Sequence, residues 1–165
     1  MHIRHEELRD RHQVRMVNVA AFERSDEADL VDRLRQEGAI LLSLVAELDT
    51  QIVGHILFSR MSIDTTQGAL PAVSLAPMAV CPSHQGRGVG SRLVRHGLAE
   101  LRAREERIAI VLGHKEYYPR FGFASEKARY LSSPFPAEAF MALELSEGAL
   151  ADVRGAVRYP AAFGL

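Results

Sequence analysis

Three glycines at alternate positions, Gly86, Gly88 and Gly90, lie between an apolar stretch, Ala72 to Val80, and a helix-like run, Ser91 to Leu101. A strand, a glycine loop and a helix in this order aim several backbone N–H groups at one point, at the positive end of the helix dipole. Such a point binds phosphate. Glycine permits positive φ there and lets the backbone approach a ligand closely. Two phosphate-binding patterns fail on spacing. A P-loop ends in Gly-Lys-Ser/Thr, but Gly90 is followed directly by Ser91 with no lysine. A dinucleotide fingerprint needs Gly-x-Gly-x-x-Gly and an acidic residue after the next strand. Position 91 is serine, the loop is mid-chain, and no acidic residue ends the strand before Gly113. The seven histidines (His2, His5, His12, His55, His84, His96 and His114) show no ligand spacing, so no metal site is expected.

The elements that must position this loop follow from hydrophobic period. Leu8, Val14, Val17, Ala21 and Phe22 suit an amphipathic helix over about 7–22. Ser25 resembles an N-cap, Leu30, Val31 and Leu34 make the inner stripe of a second helix, and Gly38 is its stop. Ile40 to Glu47 and Gln51 to Arg60 read as an antiparallel hairpin about the turn Leu48-Asp49-Thr50. After the polar loop Asp64 to Gly68 comes the strand Ala72 to Val80, in which Pro77 demands a bulge or a splay. Arg107 to Leu112 is the next strand, Ser132 to Pro136 is loop, and Ala139 to Leu145 is expected to be the last strand. The expected architecture is α+β, a mixed central sheet flanked by helices, in one domain over 1–145. Residues 146–165 form a C-terminal extension that packs on the same domain.

Bulk properties exclude several classes. The 165 residues suit one domain with a sizeable core, and 47% hydrophobic with 25% charged residues is ordinary for a globular protein. A net charge of −1 argues against a nucleic-acid partner. No apolar run approaches the roughly 20 residues of a membrane span. The one cysteine, Cys81, excludes an internal disulfide framework. The charged start (His2, Arg4, His5, Glu6, Glu7) carries no secretory signal, so a cytoplasmic location is expected.

The loop Gln85-Gly86-Arg87-Gly88-Val89-Gly90 resembles the pyrophosphate loop of the GNAT-type N-acetyltransferases, Gln/Arg-x-x-Gly-x-Gly/Ala. Leu75 to Pro82 is similar to that family's fourth strand, whose bulge accounts for Pro77. Tyr118-Pro119-Arg120-Phe121-Gly122-Phe123 is similar to the family's Tyr-x-x-x-Gly-Phe. The helical patterns before the Ile40 to Arg60 hairpin also fit the family order, so the resemblance covers most of residues 1–145 and implies an acyl-CoA-binding fold with a splayed fourth strand.

The resemblance implies a mechanism. Acetyl-CoA would be the cosubstrate, its pyrophosphate held by Gln85, Gly86, Arg87, Gly88, Val89, Gly90 and Ser91, with charge added by the Arg87 side chain. The pantetheine arm would lie along Met78, Ala79 and Val80, one amide of which polarises the thioester carbonyl. The amine attacks directly, so Cys81 is not needed as a nucleophile. Tyr118 occupies the family's general-acid position for the thiolate leaving group; Tyr117 reads rather as a core or lid aromatic. The acceptor ammonium, with a pKa near ~10.4, must lose a proton. Many relatives use a glutamate on the fourth strand, where this chain has Leu75, Ala76, Pro77 and Met78. Candidate bases are His114, Glu47 and His55, with Glu27 and Asp26 behind them. The implied activity is transfer of acetyl to a primary amine of a small molecule or a protein. The alternative is a non-catalytic acyl-CoA sensor of the same fold. A homodimer is compatible with either.

Overall fold

The computed structural model describes residues 1–165. Its elements are β1 (His2–His5), α1 (Arg11–Phe22), α2 (Asp26–Glu37), β2 (Ile40–Leu48), β3 (Gln51–Thr65), β4 (Gly68–Val80), α3 (Val89–Ala103), β5 (Ile108–Leu112), β6 (Leu131–Ser132), β7 (Phe140–Glu144) and β8 (Gly155–Arg158). The main sheet runs β1-β2-β3-β4-β5-β7; β8 pairs with the far part of β3 and with β6. Only β4–β5 and β6–β8 are parallel, so the sheet is mixed, as expected.

Helices cover both faces, which is why β3 reads as an almost continuous apolar run. Ile56 and Phe58 face α3, where they meet Leu93, Val94, Leu98 and Leu101. Leu57 faces the other way, against Val31 and Leu34 of α2. Val14 and Val17 of α1 pack on Val45, Ile52 and Ala79 on that same side. The period-2 alternation of the strand thus meets a 3.6-period stripe on each side. At Gly97 of α3 a Cβ would lie 2.3 Å from the Phe58 ring.

Several local expectations change. Asp64 to Gly68 is not a loop: β3 continues to Thr65 and β4 starts at Gly68. Thr65 closes this turn by donating from Oγ1 to the Gly68 carbonyl (2.7 Å) and accepting from the Gln67 amide (3.2 Å). Ser132, assigned to a loop, belongs to β6. The last strand is β8 rather than 139–145; it pairs Ala156 to Arg158 with Ser62 to Asp64. The first helix begins at Arg11 because Leu8–Asp10 is a tighter 3₁₀ turn. Asp10, buried there, holds Arg4 at 2.7 and 2.9 Å. No helix is long and apolar enough to cross a membrane.

Candidate active site

The site begins where two parallel strands part. β4 and β5 pair only over Val73–Leu75 and Ala109–Val111. At the next residues β4 bulges: Ile56 faces Met78 and Phe58 faces Leu75, so Ala76 and Pro77 stand opposite Leu57 alone. Proline supplies no N–H to a ladder, so this is where pairing with the neighbour ends. Past Leu75 the β5-facing edge of β4, Ala76 to Val80, has no strand partner. The opening is the mouth of a cavity of about 770 Å³, lined by Leu75 to Val80, the glycine loop, Leu112 to His114 and both tyrosines.

At one end of the cavity is the glycine loop. Gly86 and Gly88 have φ of +72° and +81°, and Gly88 is the N-cap of α3. Those left-handed residues turn the chain so that successive N–H groups converge. No backbone N–H from Gly86 to Ser91 donates to a protein acceptor; the first amide of this region to do so is that of Arg92, to the Gly88 carbonyl. Six free amides at a helix start make an anion nest. Val89 turns its side chain into the core, which anchors the helix while leaving its amide outward. Gln85 donates from Nε2 to the Val80 carbonyl at 2.9 Å, tying the loop to the end of β4. The Arg87 side chain is exposed and does not line the cavity, while its amide is one of the six.

The second wall is the tyrosine pair. The carbonyl of His114 accepts from the amides of Tyr117 (3.0 Å) and Tyr118 (3.3 Å), which folds the segment after β5 back over the cleft. The two rings meet edge-on at 5.1 Å, and Tyr118 also packs edge-on against Phe123. Tyr118 is buried, and burial, with Tyr117 adding to it, pushes its hydroxyl well above the ordinary phenol range. It therefore carries its proton at neutral pH. Tyr117, set aside as a lid aromatic from sequence, also lines the cavity. Its hydroxyl lies 3.3 Å from Ser91 Oγ, at the start of α3, and the Arg120 guanidinium stacks on its ring at 4.7 Å. Nothing local in the sequence marks that contact, because it joins segments 26 residues apart.

The base candidates separate. His114 is exposed and lines the cavity. His55 does not: it is fully buried beneath α1, its Nδ1 accepting from Asn18 Nδ2 (3.1 Å) and its Nε2–H donating to Ser43 Oγ (2.9 Å). Burial lowers its pKa to about 3, and the Arg35 charge adds to that, so it is a neutral core histidine. Glu47 is likewise corrected. Its carboxylate is bound to Arg4 at 2.9 Å, which holds it below the usual carboxylate range, on the β1 side of the sheet. Asp26 is 74% exposed and off the cavity. Glu27 does line it, together with Ala21, Phe22 and Leu30 from the α1–α2 junction. Of that wall, only Glu27 is expected from the sequence, because the others are apolar residues indistinguishable from a helix's inner face. Cys81 does not line the cavity, and burial raises its thiol. No group of three or more His, Cys, Asp or Glu side chains is arranged to hold a metal.

A strand pair opened by a bulge, with a free amide nest at one end and a proton-bearing tyrosine on its wall, gives the cleft an anion-binding end and an unpaired strand edge. Residues 2–125 match the family model described as acetyltransferase (GNAT) domain. The chain belongs to the GNAT family of N-acetyltransferases. It is 41% identical over 134 residues to the uncharacterised N-acetyltransferase YjhQ of Escherichia coli K12, covering 78% of this chain and 74% of the relative. Identity to the E. coli K12 N-acetyltransferase YhbS, also uncharacterised, is 35% over 142 residues, 84% of each. The crystal structure of E. coli YhbS in complex with CoA superposes with a TM-score of 0.91 at 33% identity, covering 99% of this chain and 92% of that one. A Brucella melitensis GNAT acetyltransferase in complex with acetyl-CoA gives 0.83 at 37% identity, covering 98% and 97%.

Proposed function

We propose that this enzyme moves the acetyl group of acetyl-CoA directly to a primary amine of a small molecule or a protein, without an acyl-enzyme intermediate. The observation that carries this reading is the run of free amides from Gly86 to Ser91 beside the unpaired edge of β4. The relatives whose structures contain CoA or acetyl-CoA support it.

Each part of the cleft has a task. The amides of Gly86 to Ser91 hold the pyrophosphate, helped by the positive end of α3. The edge of Met78, Ala79 and Val80 offers N–H and C=O groups to the pantetheine amides, as a further strand would. One of these N–H groups polarises the thioester carbonyl and stabilises the negative charge that builds on its oxygen. Tyr118, protonated at neutral pH, gives its proton to the departing thiolate. His114 is the group on the cavity wall best suited to take the proton from the acceptor, directly or through a water. Cys81 lies off the cavity lining, so its thiol is not placed to accept the acetyl group.

The test is an amine-library screen that follows release of free CoA thiol, run beside a measurement of CoA binding. Thiol release with one amine class above the no-protein rate supports acetyl transfer. Tight CoA binding with no release across the library overturns it in favour of a sensor.

A further inference from the structure

The first turn of α2 carries three acids, and they do not share one environment. The side chains of Asp26 and Asp29 are 74% and 41% exposed; that of Glu27 is 15% exposed and is turned onto the cavity wall. Phe22 and Leu30 line the same wall. A carboxylate set against an apolar wall loses hydration and needs a cationic partner. Its partner here is Arg24, whose Nε lies 3.1 Å from both carboxylate oxygens and whose Nη2 also reaches Oε1. Arg24 comes from the solvent side, 61% exposed, and does not line the cavity. A pair that served only the helix start would leave Glu27 in water, as Asp26 is. Instead Glu27, on the cavity wall, already binds a cation borne on an alkyl chain.

The attacking nitrogen must be uncharged, because its lone pair forms the new C–N bond while the C–S bond breaks and Tyr118 protonates the sulfur. The carboxylate of Glu27 is therefore available for a different positive charge. Resting on the acetyl-transfer reading, we infer that Glu27 selects acceptors that carry a second cationic group on an apolar chain. The cation displaces Arg24 from Glu27, the chain lies along Phe22 and Leu30, and the free amine reaches the thioester at β4.

The experiment compares α,ω-diaminoalkanes, from diaminopropane to diaminooctane, with monoamines of equal length. The best diamine should exceed its monoamine in kcat/KM by about tenfold or more, well beyond the statistical factor of two for its two ends, as expected for a charge-assisted contact. Glu27→Gln should bring that ratio to about the statistical factor. Arg24→Ala, which removes the competing cation, should lower KM for the diamines several-fold with no comparable gain for monoamines. Equal diamine and monoamine values, or a ratio that survives Glu27→Gln, would overturn the proposal. Calorimetric binding of diaminopentane to the CoA-loaded wild type and Glu27→Gln keeps the two readings apart. Glu27-dependent binding without turnover sinks acetyl transfer but not the carboxylate site, whereas turnover without Glu27-dependent binding does the reverse.

Discussion

A methyl group placed on Gly113 would lie 2.4 Å from Cε2 and 2.8 Å from Cδ2 of the Tyr118 ring. Gly113 directly follows β5 and Tyr118 begins the 3₁₀ turn beyond it, so the missing side chain of one sets the place of the other. An aromatic ring cannot yield by bending. Gly113→Ala should fold, be destabilised by about 1–3 kcal/mol through overpacking, and displace the hydroxyl. Steady-state kinetics should then show kcat down by about tenfold or more, since displacements on the order of 1 Å are costly at a reacting centre. An unchanged kcat would mean that the position of Tyr118 is not critical.

The two tyrosines should separate kinetically. Tyr118→Phe removes the proposed proton donor and is expected to lower kcat by about 10²-fold, with acetyl-CoA affinity nearly retained. Tyr117→Phe removes the hydroxyl that faces Ser91 at the start of α3. Its larger effect should be on KM for acetyl-CoA, several-fold upward. Measuring kcat and KM for both variants checks the division, and a reversed pattern would exchange their roles.

Gly88→Glu tests the anion nest. The residue has φ of +81°, where a side chain is strained, and the new carboxylate would stand among the free amides proposed to hold the pyrophosphate. Because nothing lies within 4 Å of the added Cβ, folding should survive. CoA affinity by calorimetry should fall by at least about 100-fold, the effect of like charge added to lost amide contacts. Retained affinity would move the phosphates elsewhere.

The buried His55 makes stability depend on pH. Its pKa falls from the ordinary 6.5 to about 3 on folding. Above about pH 6.5 neither state binds the proton and the full stability is present. As pH drops from 6.5 towards 3 the unfolded chain takes up a proton that the folded one refuses, so stability is lost, by up to about 1.4 kcal/mol per pH unit. His55→Gln can still accept from Asn18 and donate to Ser43. Urea unfolding at pH 7, 6, 5 and 4 should show a slope shallower by one proton in that variant. Identical slopes would refute a titration at His55.

The parts of the site that were legible are those whose geometry is local. Alternate glycines before an amphipathic run force an exposed amide cluster wherever the chain places them. Pro77 likewise announced an interruption of β4, because a residue without an N–H cannot continue a ladder. His55 was harder. An apolar strand told of burial, but its neutrality depends on Asn18 from α1 and Ser43 from β2, 37 and 12 residues away. Strand β8 escaped notice because Gly155 to Arg158 is too short to show a period, and its stability comes from pairing with β3.

By itself the sequence determined the α+β architecture and the glycine loop at the start of a helix, since both follow from residue type and spacing along the chain. Tyr118 was marked only by the resemblance of the segment from Tyr118 to Phe123 to the family's Tyr-x-x-x-Gly-Phe. Tertiary structure alone decided which acids and histidines face the cleft. Glu27 and Glu47 are both glutamates beside apolar residues, and no local rule separates them. The packing of α1 on β4 and of α2 on α1 turns one into the cavity, while the β1–β2 pairing gives the other to Arg4. Side-chain chemistry is written residue by residue, but its direction is set by which elements meet.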